Sequence, residues 1–362
     1  MKEKNIYRSY KKKFKTIFWI TLGWTAVSLF QFTNGYAIVN DLDCDTGQIS
    51  ASIYFRGSLL TGILAGIIGG SGVVFLWEKW LRTKKYLTAL FNIFLSYTLV
   101  YFLVAIPSGL YFRSQEKGLS VFDKTVWNEV LAFQLQWNTG QNYIFWLLVV
   151  LATILLLQVN DKYGPGILIE FIKGKYFHPQ REERIFMFLD LRSSTTIAEK
   201  LGESEYFNFL NDSFKQATPS ILQTNGEIYQ YVGDEIVISW KMHKGLNHGN
   251  CIQCFNMITK AMNKNRDYFM NRYKVFPEFK AGLHYGYVMA GEIGVVKRDI
   301  VFSGDVLNTT ARIQSKCNEL SVDLLMSESL VNQLKQYINI QPKMLGKISL
   351  KGKGSEVPLY TI

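Results

Sequence analysis

Cysteine is scarce. The chain has four, Cys44, Cys251, Cys254 and Cys317, among 362 residues, which excludes a disulfide framework. Cys251 and Cys254 form a C-x-x-C pair, a spacing that invites zinc or redox chemistry. No second cysteine pair lies nearby, however, and His243 and His248 precede it in a loop-like stretch. With Phe255 and Ile258 the two cysteines fall at helical spacing, so they read as small core residues on a helix. The sequence also lacks any recognised nucleic-acid module, although its formal net charge is +11. Much of that excess (Lys11, Lys12, Lys13, Lys15, Arg82, Lys84 and Lys85) stands beside apolar runs. It therefore reads as membrane topology, with lipid as the partner and no nucleic acid.

Charge is almost absent from four runs, residues 16–32, 57–77, 86–106 and 143–159. Each approaches the roughly 20 apolar residues a bilayer-crossing helix needs, and Pro107 is expected to close the third. No A-x-A-like site follows the first run, so it is not read as a cleaved signal peptide. Ion passage would call for charges inside the spans, which argues against a channel or transporter. The basic N-terminal tail and the basic loop EKWLRTKKY contrast with Asp41, Asp43 and Asp45 in the first outer loop. That asymmetry predicts a multi-pass protein of the inner (plasma) membrane with both termini cytoplasmic. Gly62, Gly66 and Gly70 form a tandem G-x-x-x-G, suited either to a dimer seam or to packing within the chain. The outer stretch 107–142 is longer than a simple connector, and its VFDKTVWNEVLAFQLQW portion is amphipathic at helical spacing.

The expected organisation is an all-α transmembrane bundle of four helices over residues 1–160, a juxtamembrane linker over 161–183 and an α/β domain over 184–362. In the linker, Gly164, Pro165 and Gly166 end or break the fourth helix, and apolar and basic residues then alternate. The last part alternates strand and helix patterns. RIFMFLD is an apolar run ending in a carboxylate, and GEIYQYVGDEIVISW reads as two strands meeting at Gly233-Asp234. A helix is expected over about 249–273, a strand in FKAGLHYGYVMAGEIG, a helix in DVLNTTARIQSKCNEL, and two short strands around LKGKG. The sheet should be mostly antiparallel and flanked by helices.

Asp190 ends a hydrophobic strand, where a buried charge needs a partner, and Asp234 sits at a hairpin tip. If the two strands are neighbours, both carboxylates meet in one place, where cations between them relieve the repulsion. Such an arrangement suits two-metal phosphoryl transfer. The polar turn Leu191-Arg192-Ser193-Ser194-Thr195 opens a helix whose backbone N–H groups can hold phosphate oxygens. At this point the chain resembles the class III adenylate/guanylate cyclase family, over about residues 184–362. Four motifs carry the resemblance in family order: FLDLRSST, YQYVGDEIVISW, FSGDVLNTTARIQ and LKGKG.

The resemblance implies a cyclase that converts a nucleoside triphosphate to the 3′,5′-cyclic monophosphate and pyrophosphate, with two Mg²⁺ or Mn²⁺ ions per active site. It implies Asp190, Leu191 and Asp234 as the metal-holding set and Asn308 and Arg312 as the catalytic pair. Ser193, Ser194, Thr195, Gly233, Gln230 and Val301 would contact substrate, and Lys351 or Lys353 would hold its phosphates. It further implies a homodimer with two shared sites. The departure lies in base selection. Adenylate-type members carry a lysine and guanylate-type members a glutamate where this chain has Gln230, and Val301 stands where Asp or Thr is usual in adenylate-type sites. Gln230 offers both a donor and an acceptor. ATP is favoured, with GTP, a pyrimidine triphosphate, or a catalytically inactive cyclase-like signalling protein as alternatives.

Overall fold

The computed structural model describes residues 2–41, 51–163, 174–296, 299–349 and 356–362. Asp43, Asp45, the Gly164-Pro165-Gly166 break, Lys351 and Lys353 lie outside the described residues. The chain divides into two compact units, Met1–Lys162 and Tyr163–Ile362.

Among the described residues, the regular elements of the first unit are all helices. It contains α1 (Lys2–Asp41), α2 (Ala51–Gly72), a π-helical turn (Val73–Trp77), α3 (Glu78–Thr83), α4 (Tyr86–Lys117), α5 (Lys124–Gln134) and α6 (Trp137–Tyr163). Four of its segments, Lys13–Ala37, Ala51–Leu81, Tyr86–Lys117 and Trp137–Asn160, are long and apolar enough to cross a membrane. The shortest, 24 residues, extends about 36 Å at 1.5 Å per residue, against a hydrocarbon core of about 30 Å.

The glycine spacing of α2 is used within the chain. A Cβ on Gly66 would lie 2.4 Å from the Thr21 Cα, and one on Gly62 would lie 2.6 Å from the Thr25 Cα. Bare backbone on α2 thus lets α1 approach to van der Waals contact, the force that holds helices together where no hydrophobic effect operates. Polar atoms in this unit find partners across the bundle. Trp24 Nε1 donates to Thr153 Oγ1 at 3.0 Å, Trp77 Nε1 to Ser96 Oγ at 2.7 Å, and the Tyr97 hydroxyl to the Tyr143 carbonyl at 2.6 Å.

Pro107 does not close the third segment. It lies inside α4, which continues to Lys117 and stops at the left-handed Gly118. Membrane helices tolerate an internal proline because neighbouring groups re-satisfy the freed backbone. The amphipathic stretch forms α5, capped by Asp123 accepting from the Thr125 N–H at 2.7 Å, with Val126 and Val130 buried.

The second unit runs β1 (Gln180–Leu191), α7 (Ser194–Leu201), α8 (Glu203–Gln223), β2 (Glu227–Val232), β3 (Glu235–Lys241), α9 (Met242–Leu246), a 3₁₀ turn (Asn247–Gly249), α10 (Asn250–Lys264) and α11 (Arg266–Tyr273). It continues with β4 (Phe279–Ile293), β5 (Asp299–Ser303), α12 (Asp305–Ser315), β6 (Leu324–Ser327), α13 (Glu328–Leu334), β7 (Lys343–Ser349) and β8 (Glu356–Thr361). The strands form one sheet of order β2-β3-β1-β4-β6-β8-β7, with β5 paired to β4. Every pairing is antiparallel except β4–β6.

One face of β1, carrying Ile185, Met187, Leu189 and Leu191, packs into the main core with Phe209, Ile258 and Phe269 from the helices. The other face joins Phe186 to Val237, Val288, Phe302 and Val306. Cys251 and Cys254 are buried in the main core, where burial pushes both thiols up to about 12. The single helix expected over 249–273 is two, divided at Asn265, whose side-chain amide donates to the Ala261 carbonyl at 2.8 Å. The strand β6 and the helix α13 were not expected.

Candidate active site

The site forms where β1 ends. Asp190 is the residue before the last on β1, and three strands fix its neighbours. The β1–β3 register sets Asp190 opposite Glu235, and the β1–β4 register sets it opposite Lys280. Asp234 directly precedes Glu235 in the two-residue turn between β2 and β3, where Gly233 adopts φ 60°. Antiparallel partners stand roughly 4.5–5.5 Å apart and successive Cα atoms about 3.8 Å, which puts the Asp190 and Asp234 Cα atoms within about 9 Å. The hairpin therefore brings the two carboxylates anticipated from the sequence to one end of the sheet.

Their electrostatics agree. Burial, then the charge of Asp234, raises the Asp190 carboxyl above its ordinary range, against the opposing influence of Lys280 and Gln314. Glu235 is pushed further, to about 7, by burial and then by Asp190 and Asp234. Tyr206 is raised by burial and by the same two carboxylates, and its hydroxyl hydrogen-bonds with Ser194. Ser194 at the start of α7 thus belongs to the same locality.

Two partners of Asp190 escaped the sequence reading. Lys280 Nζ lies 3.2 Å from Asp190 Oδ2, and Gln314 Nε2 donates to the same oxygen at 2.7 Å. Lys280 had a legible signal, because a lysine opening the apolar strand FKAGLHYG must find an anion once buried. Gln314 had none, since its contact depends on how α12 crosses the sheet. Glu235 was passed over as an ordinary strand residue.

The turn after β1 is held rigidly. Arg192 donates from its backbone to Glu278, and its guanidinium bonds Asn318, Asp323 and the Val322 carbonyl at 2.6–3.0 Å. Ser193 adopts the left-handed conformation, φ 54°, at a cost of about 1–2 kcal/mol for a residue with a Cβ. Ser193 and Thr195 are exposed and Ser194 is half-buried. Leu191 turns its side chain into the core, so only its carbonyl is available to a cation.

Asn308 and Arg312 lie one helical turn apart on α12, with Asn308 exposed and Arg312 half-buried. Thr310, Ile313 and Gln314 form the buried face of that helix. The catalytic pair expected from the sequence therefore occupies a different side of α12 from Gln314, which faces Asp190. Gln230 is exposed on β2 just after a bulge, and Val301 is half-buried on β5. Between their strands, the Phe302 N–H donates to the Tyr229 hydroxyl at 3.2 Å and the rings sit 4.9 Å apart. Gln230 and Val301 each flank this contact. Lys351 and Lys353 lie outside the described residues.

Among the described residues no three His, Cys, Asp or Glu side chains form a ready metal-binding cluster. The donor chemistry nonetheless suits a hard divalent cation. Asp190 and Asp234 offer carboxylate oxygens, the ligands Mg²⁺ and Mn²⁺ prefer, and their mutual repulsion is what a cation would relieve.

Residues 178–362 match the family model described as "Adenylate and Guanylate cyclase catalytic domain". The chain is 32% identical over 209 residues to "Adenylate cyclase 2" of Rhizobium meliloti (strain 1021), covering 58% of each protein. It is 26% identical over 182 residues to "Adenylate cyclase" of Anabaena cylindrica, covering 49% of this chain and 36% of that one. This chain thus matches less than two thirds of the length of either relative. Its fold is similar to that of a bacterial light-regulated adenylyl cyclase, with a TM-score of 0.51 and 22% identity over 64% of this chain and 67% of that one.

Proposed function

The chain belongs to the class III adenylate and guanylate cyclase family, and from that premise we propose that it is a membrane-bound nucleotidyl cyclase acting on ATP. The ribose 3′-hydroxyl attacks the α-phosphorus of the same nucleotide. A new P–O bond forms, the bond to the β-phosphate oxygen breaks, pyrophosphate leaves, and the hydroxyl proton passes to solvent. The observation that carries this reading is the pairing of Asp190 and Asp234 at one end of the sheet, with each charge felt by the same neighbours.

Asp190, Asp234 and the Leu191 carbonyl would hold two Mg²⁺ or Mn²⁺ ions, which lower the pKa of the attacking hydroxyl and neutralise the triphosphate. The chain's own groups do the rest. Backbone N–H groups of Ser193, Ser194 and Thr195 at the start of α7 receive phosphate oxygens, with Gly233 leaving room at the hairpin tip. Arg312 stabilises charge developing on the α-phosphate, and Asn308 orients the ribose. Gln230 and Val301 face the base, and Lys351 or Lys353 holds the outer phosphates. The family resemblance implies a homodimer with two shared sites, and the placement of Asn308 and Arg312 on another side of α12 from Gln314 supports their serving the site of a second copy. The four helices long and apolar enough to cross a membrane support a location in the inner (plasma) membrane, and the basic flanks support cytoplasmic placement of both termini.

The test uses full-length protein in detergent with Mn²⁺ and ATP, GTP, CTP or UTP supplied separately. Cyclic AMP is the expected product. A preference for another triphosphate would revise the base assignment made through Gln230 and Val301. No cyclic product from any of the four, from protein shown to be a folded dimer, would overturn the enzymatic reading.

A further inference from the structure

Gln314 is only 7% exposed and sits where α12 crosses β4. Gly282 makes that crossing possible: a Cβ there would lie 2.4 Å from the Gln314 backbone nitrogen and 2.7 Å from its Cα. Helix backbone thus rests directly on strand backbone. From this seat the Gln314 amide reaches one strand over, from β4 to β1, and donates to Asp190 Oδ2 at 2.7 Å. Lys280, the cross-strand partner of Asp190, brings its ammonium within 3.2 Å of the same oxygen. Two donors from two different elements commit Oδ2 and fix the plane of the carboxylate, which leaves Oδ1 as the oxygen for a cation.

The chemical type at position 314 matters. A glutamate would add a fourth carboxylate to Asp190, Asp234 and Glu235 and would accept where Asp190 needs a donor. A methionine would fill the space and donate nothing. An asparagine would keep the amide and fall one methylene short. A glutamine supplies a neutral donor at the required reach. We infer that Gln314 is a positioning residue for the cation site: it orients the Asp190 carboxylate for a divalent ion and ties that orientation to the helix that carries Asn308 and Arg312. The inference rests on the reading of Asp190 as a cation ligand.

The experiment titrates Mn²⁺ into full-length protein in detergent without nucleotide, reading free Mn²⁺ by electron paramagnetic resonance. It then measures kcat and KM for ATP at each variant's saturating Mn²⁺. Gln314→Met and Gln314→Asn should each weaken Mn²⁺ binding about 10–100-fold, the usual effect of removing a hydrogen-bond partner behind a metal ligand. KM for ATP should stay near the wild-type value, whereas general damage to α12 would move it as well. The asparagine variant keeps the polarity of the site, so it reports even if the methionine variant does not fold. Wild-type Mn²⁺ affinity in either folded variant overturns the role of Gln314. Asp190→Asn separates the two readings. If it abolishes Mn²⁺ binding while the Gln314 variants bind normally, only the Gln314 inference falls. If it leaves Mn²⁺ binding intact, the assignment of Asp190 as a ligand falls first.

Discussion

Asp190 stands opposite Glu235 in the antiparallel ladder between β1 and β3, and that single register match gathers three carboxylates, with Asp234 in the adjoining turn. Without a cation, burial and mutual repulsion make this gathering costly. The cost is visible in the shifts, upward for Asp190 and to about 7 for Glu235.

A pH dependence follows, and its sign is opposite to ordinary acid denaturation. Both groups hold their protons more tightly in the folded protein than in the unfolded chain. Below about pH 4 the glutamate is protonated in both states and contributes nothing. As pH rises from 4.5 to about 7 for Glu235, the unfolded chain ionises first, so stability falls. In EDTA the protein should therefore melt at lower temperature at pH 8 than at pH 5.5. Glu235→Gln should flatten that slope, and added Mn²⁺ should restore stability at pH 8. Glu182 and Asp212 are shifted downward, so their contributions are lost below this window and do not mask it. Thermal melts of both proteins across the range decide the matter; identical slopes would count against a strained carboxylate cluster.

Gly282→Ala should harm both stability and activity. The new Cβ would meet the Gln314 backbone nitrogen at 2.4 Å, and backbone cannot swing aside as a side-chain tip can. The helix α12 must lift, at a cost of about 1–3 kcal/mol, carrying Gln314 away from Asp190 and displacing Asn308 and Arg312. Gly346→Ala, with open space around the site, should be close to neutral. Thermal unfolding and cyclase assay of both variants provide the measurement.

These sites show which parts of the arrangement a sequence can reveal. Asp190 and Asp234 were legible because local patterns carry them: an apolar run ending in a carboxylate, and two apolar strands meeting at Gly-Asp. The spans were legible because charge is nearly missing over runs of roughly 20 residues within the helices. Lys280 signalled only that it needs an anion, not which one, and Gln314 signalled nothing, since each meets Asp190 through pairings roughly 90 and 124 residues away along the chain, set by strand register and helix crossing rather than by neighbouring residues. The strand β6 was missed because four residues are too few for a period to appear, and its parallel pairing with β4 needs no turn signal beside it. Pro107 misled because a rule learned in water was applied to a helix apolar enough to cross a membrane, where an internal proline is tolerated.

In the helical first unit, Gly66→Leu should separate α1 from α2. Its Cβ would lie 2.4 Å from the Thr21 Cα, so no rotamer relieves the clash, and overpacking of this kind costs about 1–3 kcal/mol. Gly35→Leu on α1, where nothing lies within 4 Å, is the matched control. The expected result is a lowered melting temperature in detergent for Gly66→Leu and little change for Gly35→Leu. Equal melting of the two would show that the glycine stripe does not hold these helices together.

Shared sites make a prediction that no single-chain enzyme can meet. On α12, Gln314 faces the chain's own Asp190 while Asn308 and Arg312 lie on another side of the helix. If the latter pair serves a second copy, Asp190→Ala and Arg312→Ala disable different halves of each site. Each homodimer should be nearly inactive, Arg312→Ala by about 10²–10³ in kcat, the usual effect of removing a group that stabilises transition-state charge. A mixed dimer, however, assembles one site from two intact halves and one from two damaged halves. Random mixing of equal amounts puts half the dimers in the mixed form with one working site of two, so activity should return to about a quarter of wild type. Asp190→Ala mixed with Asp234→Ala should stay inactive, because both lesions fall on the same half and every site in the mixture keeps one of them. Co-expression of the two variants and assay of cyclic AMP would read this out, and tandem purification through two different affinity tags, which leaves only mixed dimers with one working site of two, should raise the value to about half of wild type. An Asp190→Ala and Arg312→Ala mixture as inactive as its parents would mean that Arg312 acts on its own chain's carboxylates, and the two-copy site would have to be abandoned.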